Sequence, residues 1–161
     1  MLVGLPGAGK STVAHLLAAT WGCASLDTDE MIATDVGCDA SEFLRREGEP
    51  AFRERELVAL RAALGQDAVV STGGGVVTTE QARALLKGEV TIWLDGDDEV
   101  LVERLADGDR PLIGNDPISD LRRLRAQRAA WYGDVARAKV SSNATPLEVA
   151  REVMDAAKVT P

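Results

Sequence analysis

A chain of 161 residues with 45% apolar side chains is long enough to bury one domain core, and nothing in it marks a second domain. Asp and Glu number 26 against 18 Lys and Arg; the net charge of −8 repels phosphate-rich polymers and anionic membranes, so neither is an expected partner and an anionic ligand needs local cations. The two cysteines, Cys23 and Cys38, lack metal-ligand spacing, no apolar run nears the ~20 residues of a membrane span, and no signal peptide precedes the first motif, which points to free thiols in a cytoplasmic protein.

The chain opens with apolar Met1-Leu2-Val3 and runs straight into Gly4-Leu5-Pro6-Gly7-Ala8-Gly9-Lys10-Ser11, which fits the phosphate-loop pattern G-x-x-x-x-G-K-[ST]. A helix is expected from residue 10 to about 19, with Val13, Leu16, Leu17 and Trp21 as its apolar stripe and Gly22 as its stop. Glycines at 4, 7 and 9 let consecutive N–H groups turn inward around a polyphosphate at a helix N-terminus. Lys10 adds a cation toward the β- and γ-phosphates, and Ser11 offers a hard oxygen suited to Mg²⁺. An ordinary Gly/Pro turn has no need of lysine and serine both in register. The first strand is expected to be very short, or the natural start to lie upstream. His15, the one histidine, falls on the first helix and takes no catalytic role.

Residues 23–26 read as a short strand that delivers Asp27-Thr28-Asp29 at its C-terminal end. Ligands of open α/β sheets bind at that edge, so two carboxylates on one side of an extended segment point at a site. One is expected to cap a helix starting near Glu30 while the other works. A helical stretch from 31 to about 64 is broken at Gly37-Cys38-Asp39 and at Gly48-Glu49-Pro50. Beyond Pro50, Arg53 shares a stripe with Leu57, Leu60 and Leu64, and a guanidinium on an apolar face needs an anion. Glu56 at i+3 meets part of that need as an ordinary helix pair worth roughly a few tenths of a kcal/mol, and it leaves the outer fork of Arg53 open to a ligand carboxylate.

Ala68-Val69-Val70-Ser71 is a β-branched, buried strand that leads into Thr72-Gly73-Gly74-Gly75-Val76-Val77. Three glycines are costly in conformational entropy, which suggests backbone approaching a ligand closely rather than a plain turn. A helix over 80–86, a buried strand over 89–94 and a helix over 99–105 follow, and strands alternating with helices give a parallel, doubly wound sheet. Residues 106–117 are polar and rich in turn formers, as in a mobile lid. Arg110 sits at their centre, where a phosphoryl-transfer enzyme would carry a charge-neutralising arginine. A long helix from Ser119, its N-cap, to about 137 buries Leu121, Leu124, Arg128, Trp131 and Val135, while Arg122, Arg123 and Arg125 lie off that stripe and are expected in solvent. A strand over 138–140, a loop over 141–146 and a closing helix from 147 to about 157 complete the chain.

The parts sum to a nucleoside-triphosphate site beside a second site with two arginines on apolar faces (Arg53, Arg128), a carboxylate (Asp29) and a glycine wall (Gly73, Gly74, Gly75). That is a small-molecule kinase whose acceptor is a hydroxy acid. The phosphate loop, Asp27-Thr28-Asp29, Phe52-Arg53 with Glu56, Ser71-Thr72-Gly73-Gly74-Gly75, Arg110-Pro111-Leu112 and the late Arg128 come in an order and spacing that resemble the shikimate kinases over essentially the whole chain.

The resemblance implies a single P-loop, nucleoside-monophosphate-kinase-like domain: a three-layer α/β sandwich with a five-stranded parallel sheet, a helical substrate-binding segment at about 30–60 and a lid at about 107–118. It implies transfer of the ATP γ-phosphate to the 3-hydroxyl of shikimate, in chorismate and aromatic amino acid biosynthesis, by a cytoplasmic monomer. Carried over residue by residue, Gly7, Ala8, Gly9, Lys10, Ser11 and Thr12 hold the nucleotide phosphates, and Arg104 and Pro146 flank the adenine. Lys10 and Arg110 stabilise the transferring phosphoryl group. Ser11 ligates Mg²⁺, which Asp27 and Ser71 reach through water. Asp29 holds the acceptor hydroxyls and is the candidate base, Arg53 and Arg128 grip the carboxylate, and Gly74 offers its N–H. The chain departs from the family pattern at Ser141, usually an aspartate, and at Thr145, often a basic residue. The same fold also admits gluconate or a nucleoside monophosphate as acceptor, and a regulatory ATPase without an acceptor is the rival of another class.

Overall fold

The computed structural model describes residues 1–106 and 116–158. Five parallel strands form one sheet: β1 (Leu2–Val3), β2 (Ala24–Asp27), β3 (Ala68–Ser71), β4 (Ile92–Asp95) and β5 (Ala138–Ser141), in the order β2-β3-β1-β4-β5. The helices among the described residues are α1 (Lys10–Trp21), α2 (Thr28–Val36), α3 (Ala40–Leu64), α4 (Glu80–Lys87), α5 (Asp98–Ala106), α6 (Pro117–Val135) and α7 (Pro146–Ala157). Helix α1 packs on α7, and α6 packs on α4 and α5. The central strands β1, β3 and β4 are therefore the most deeply covered and the most apolar, as expected inside an all-parallel sheet, while the edge strands β2 and β5 keep exposed positions. Leu2, Val3, Val70, Ile92 and Leu94 are all buried.

Register brings the site together. Leu2 lies opposite both Ser71 and Ile92, and Asp27 lies opposite Ser71. The strand ends carrying Asp27 and Ser71 thus flank the end of β1, from which the phosphate loop departs. The central strand has only two residues, as expected.

The substrate-binding segment expected over about 30–60 has a small core of its own, made of Ile32, Phe43, Phe52 and Ala59. Both expected breaks occur. Gly37 ends α2 in the left-handed conformation, and Gly48, at φ +83° and ψ 169°, kinks α3 just before Pro50.

Four boundaries differ from the sequence expectations. Trp21, placed on the buried stripe of α1, is the last residue of that helix and is 48% exposed. β4 begins at Ile92 rather than 89; Glu89 and Val90 are exposed on the approach to the sheet. Asp29 is not on an extended segment, since α2 already starts at Thr28. The N-cap of α6 is Asp116, whose carboxylate accepts the Ser119 N–H at 3.2 Å and hydroxyl at 2.6 Å, so Ser119 is a first-turn residue and not the cap. Arg110 and most of the expected lid lie outside the described residues.

Candidate active site

The phosphate loop leaves β1 and enters α1 through Gly9, whose φ of 76° is left-handed and which brings no capping side chain. The N-cap itself therefore brings no side chain to compete with an anion at the start of α1. Gly7, also left-handed, has a second reason to be glycine: a Cβ would come within 2.5 Å of the Leu101 carbonyl. The Lys10 side chain folds back over its own loop, and its ammonium donates to the Gly4 and Leu5 carbonyls, each at 2.9 Å. It is 8% exposed and therefore held in place before any ligand arrives.

Asp27 does both jobs that the sequence divided between two carboxylates. Its Oδ1 accepts the Asp29 N–H at 2.9 Å and caps α2, while its Oδ2 accepts the Ser11 hydroxyl at 2.5 Å. Ser71 Oγ lies 3.2 Å from Ser11 Oγ. One carboxylate and two hydroxyls make a hard-oxygen donor set that suits Mg²⁺. No group of three or more His, Cys, Asp or Glu gathers for a metal among the described residues, so an ion here would take its remaining oxygens from nucleotide phosphates and water.

The residue before Asp29 ties the start of α2 down. The Thr28 hydroxyl, fully buried, accepts the Gly73 N–H at 2.9 Å and ties the start of α2 to the glycine wall. All three wall glycines are explained by close approach and none by left-handed backbone. A Cβ on Gly73 would come within 2.7 Å of both Asp29 Oδ1 and Glu56 Oε1; one on Gly74 would strike the Pro6 ring at 2.8 Å, and one on Gly75 would land on the Arg53 guanidinium. The wall thus packs against the side chains that form the site, and of its three glycines it is Gly74 that lines the cleft.

The outer fork of Arg53, expected to be open, is occupied. Nη1 donates to Glu56 Oε2 at 2.8 Å, while Nη2 and Nε reach Glu49 Oε1 at 2.8 and 3.2 Å. Glu49 stands at the kink of α3 and is 61% exposed; Arg53 holds its carboxyl below the usual range. Glu56 differs from the ordinary surface pair expected of it, because its side chain is 2% exposed and Oε1 has no hydrogen-bond partner. Burial pushes its pKa up to about 7 from 4.5, with Arg53 opposing the rise and Asp29 adding to it.

A carboxyl that is a weaker acid folded than unfolded contributes stability that is full below about pH 4.5 and lost as pH rises through about 7. The urea midpoint of the unaltered chain, compared with that of Glu56→Gln, is therefore expected to fall between pH 5 and 8. A difference that stays constant over that range would remove the pH role of Glu56.

Arg128 projects from α6, and its Nη1 donates to the Gly74 carbonyl at 2.9 Å. Its Nε is buried with no hydrogen-bond partner. Tyr132, one turn on, was not singled out in the sequence; it is fully buried, its hydroxyl donates to the same carbonyl, and burial raises its pKa. Its spacing of four from Arg128 was the available signal. Arg125, expected in solvent, instead pairs with Asp95 and Asp98 and donates to the Gly96 carbonyl, which anchors α6 to the end of β4 and the start of α5.

One continuous cleft of about 1870 Å³ takes in the phosphate loop from Pro6 to Thr12, Asp27, Asp29, Arg53, Ser71, Gly74 and Arg128, and at its other end Arg104 and Pro146. Arg104 also reaches the Ala144 carbonyl at 3.4 Å. Of the sequence-selected residues, Gly73 and Gly75 belong to the wall without lining the cleft, and Arg110 is outside the described residues.

The family model described as shikimate kinase matches residues 6–158. The shikimate kinase of Symbiobacterium thermophilum is 40% identical over 163 residues, covering 96% of this chain and 93% of the relative. That of Streptomyces coelicolor is 40% identical over 162 residues, covering 99% and 95%. Among solved structures, shikimate kinase from Acinetobacter baumannii in complex with shikimate superposes with a TM-score of 0.91 at 32% identity, covering 99% of this chain and 93% of that one. A gluconokinase from Sinorhizobium meliloti is similar in fold alone, at TM-score 0.59 and 17% identity over 97% of this chain and 89% of that one. The chain belongs to the shikimate kinase family.

Proposed function

We propose that this chain transfers the γ-phosphate of ATP to the 3-hydroxyl of shikimate, releasing ADP and shikimate 3-phosphate. The observation that carries the proposal is the single cleft in which a phosphate loop faces Asp29, Gly74 and two arginines rooted in different helices. A compact ring bearing one carboxylate and several hydroxyls matches that set: Arg53 and Arg128 for the carboxylate, Asp29 for the hydroxyls, Gly74 for a backbone contact.

In the step itself, Asp29 takes the proton of the acceptor hydroxyl as its oxygen attacks the γ-phosphorus, and the bond to the leaving ADP oxygen breaks. Lys10 and Arg110 bear on the charge of the group in transit, while Gly7 to Thr12 hold the phosphates and Arg104 and Pro146 border the adenine. Phosphoryl transfer asks mainly for positioning and electrostatics, which is what this residue set offers. Mg²⁺ bound through Ser11, and through water to Asp27 and Ser71, would neutralise phosphate charge there. We further read the chain as one domain acting as a monomer in the cytoplasm. No described helix is long and apolar enough to cross a membrane, and the charge of −8 disfavours nucleic acid.

The test is ADP release from Mg·ATP with shikimate, gluconate, AMP or no acceptor, and with Mg²⁺ omitted. Turnover with shikimate alone is the expected result. Turnover indifferent to the acceptor would overturn the assignment in favour of a regulatory ATPase.

A second expected result concerns Glu49. Because Arg53 already holds a carboxylate, acceptor binding must exchange one carboxylate for another. Glu49→Gln is therefore expected to lower the shikimate KM by about two- to fivefold, the scale of a part-exposed pair. A raised KM would mean that Glu49 holds Arg53 for the acceptor rather than against it.

A further inference from the structure

Two side chains of α6, one turn apart, converge on a single backbone oxygen. Tyr132 Oη donates to the Gly74 carbonyl at 2.5 Å and Arg128 Nη1 donates to it at 2.9 Å, so both lone pairs of that oxygen are engaged. The tyrosine is fully buried and its ring stacks on Trp93, with centroids 5.7 Å apart and planes at 27°. Its orientation is thus set by packing, and the hydroxyl has one address. On its other side Gly74 is wedged against Pro6, whose ring a Cβ would meet at 2.8 Å. The held peptide therefore lies between α6 and the phosphate loop.

We propose that Tyr132 is a positioning residue for the acceptor site, holding the Gly74 carbonyl so that the glycine wall is fixed against Pro6 and Arg128 keeps a constant seat beside it. The proposal rests on the acceptor assignment of the cleft. Arginine is long and rich in rotamers, and seating it before the ligand arrives lowers the ordering cost of gripping an anion. Arg128, anchored by Nη1, lines the cleft, so its guanidinium is already seated for that grip. The tyrosine hydroxyl touches neither reacting group; its effect passes through the carbonyl.

Tyr132→Phe is the direct test, since it keeps the stacked ring and leaves the Gly74 carbonyl bonded to Arg128. Shikimate-dependent turnover is first established for the unaltered chain, so a failed acceptor assignment shows there and not in the variant. In the variant the shikimate KM, and its Kd from tryptophan fluorescence, are expected to rise about three- to tenfold, the range one neutral hydrogen bond carries. The ATP KM is expected to stay within twofold. In an Arg128→Lys background the same change is expected to alter the shikimate KM less than twofold, because the seat it maintains no longer matters. A shikimate KM within twofold in the single variant, a parallel rise in both KM values, or the full factor persisting in the lysine background would each overturn the proposal.

Discussion

Lys10→Ala is expected to lower kcat by about a hundred- to a thousandfold, the loss that follows removal of one preorganised donor from a developing charge. The ammonium is preorganised in the literal sense: two carbonyls of its own loop, Gly4 and Leu5, hold it in a buried position. Little reorganisation is left for the moment of reaction, so its contribution should appear in the transition state more than in ground-state binding, and kcat should fall further than the ATP KM rises. Alanine leaves those two carbonyls without that donor, at about 1–3 kcal/mol of stability. Thermal unfolding run beside the kinetics separates that loss from the catalytic one. An ATP KM that rises while kcat stays within threefold would assign Lys10 to nucleotide binding alone.

Arg53→Ala is expected to raise the shikimate KM by roughly thirtyfold to several thousandfold, corresponding to about 2–5 kcal/mol for a truncated charged contact. The ATP KM should move little. The substitution also strips Glu56 of its cation. That carboxyl is buried and already titrates near 7, so without Arg53 it retains its proton to still higher pH. The variant should accordingly lose little stability at pH 6 and more at pH 8, where ionising an unpaired buried carboxyl becomes the alternative to unfolding. A shikimate KM unchanged within twofold would remove Arg53 from the acceptor site. A stability loss equal at the two pH values would remove its coupling to Glu56.

The strands, the phosphate loop and the two arginines were legible in the sequence because each is written locally, as a β-branched run, a fixed spacing, or a charge on an apolar stripe. What surrounds the arginines was not. Arg53 could be seen to need an anion, and Glu49, four residues earlier on the same turn just past the Gly48 kink, was the overlooked local signal for what meets its outer edge. Glu56 looked like a surface pair because spacing shows which residues are neighbours and not how deeply they lie. Tyr132 falls on the same face as Leu121, Arg128 and Val135, but its partner, a carbonyl 58 positions earlier in the chain, leaves no mark in composition or spacing. Asp27 and Asp29 were recognised as a pair with two jobs, yet the division of labour turned on where α2 begins. The helical position of Arg125 points to solvent, and only the tertiary approach of β4 and α5 gives it partners.

The placement of β1 at the centre of the sheet has a consequence for how the protein assembles. Leu2 pairs on one side with Ser71 and on the other with Ile92. The loop that follows it is anchored by strands far downstream, and such long-range pairings form late because their loop-closure entropy must be met before the contacts reward it. During synthesis the phosphate loop emerges well before either partner strand. A nascent chain stopped short of Ile92 would carry the complete nucleotide motif with one flank of its strand unpaired. Acquisition of nucleotide binding should thus coincide with docking of β4, late in folding, although the motif itself lies at the front of the chain.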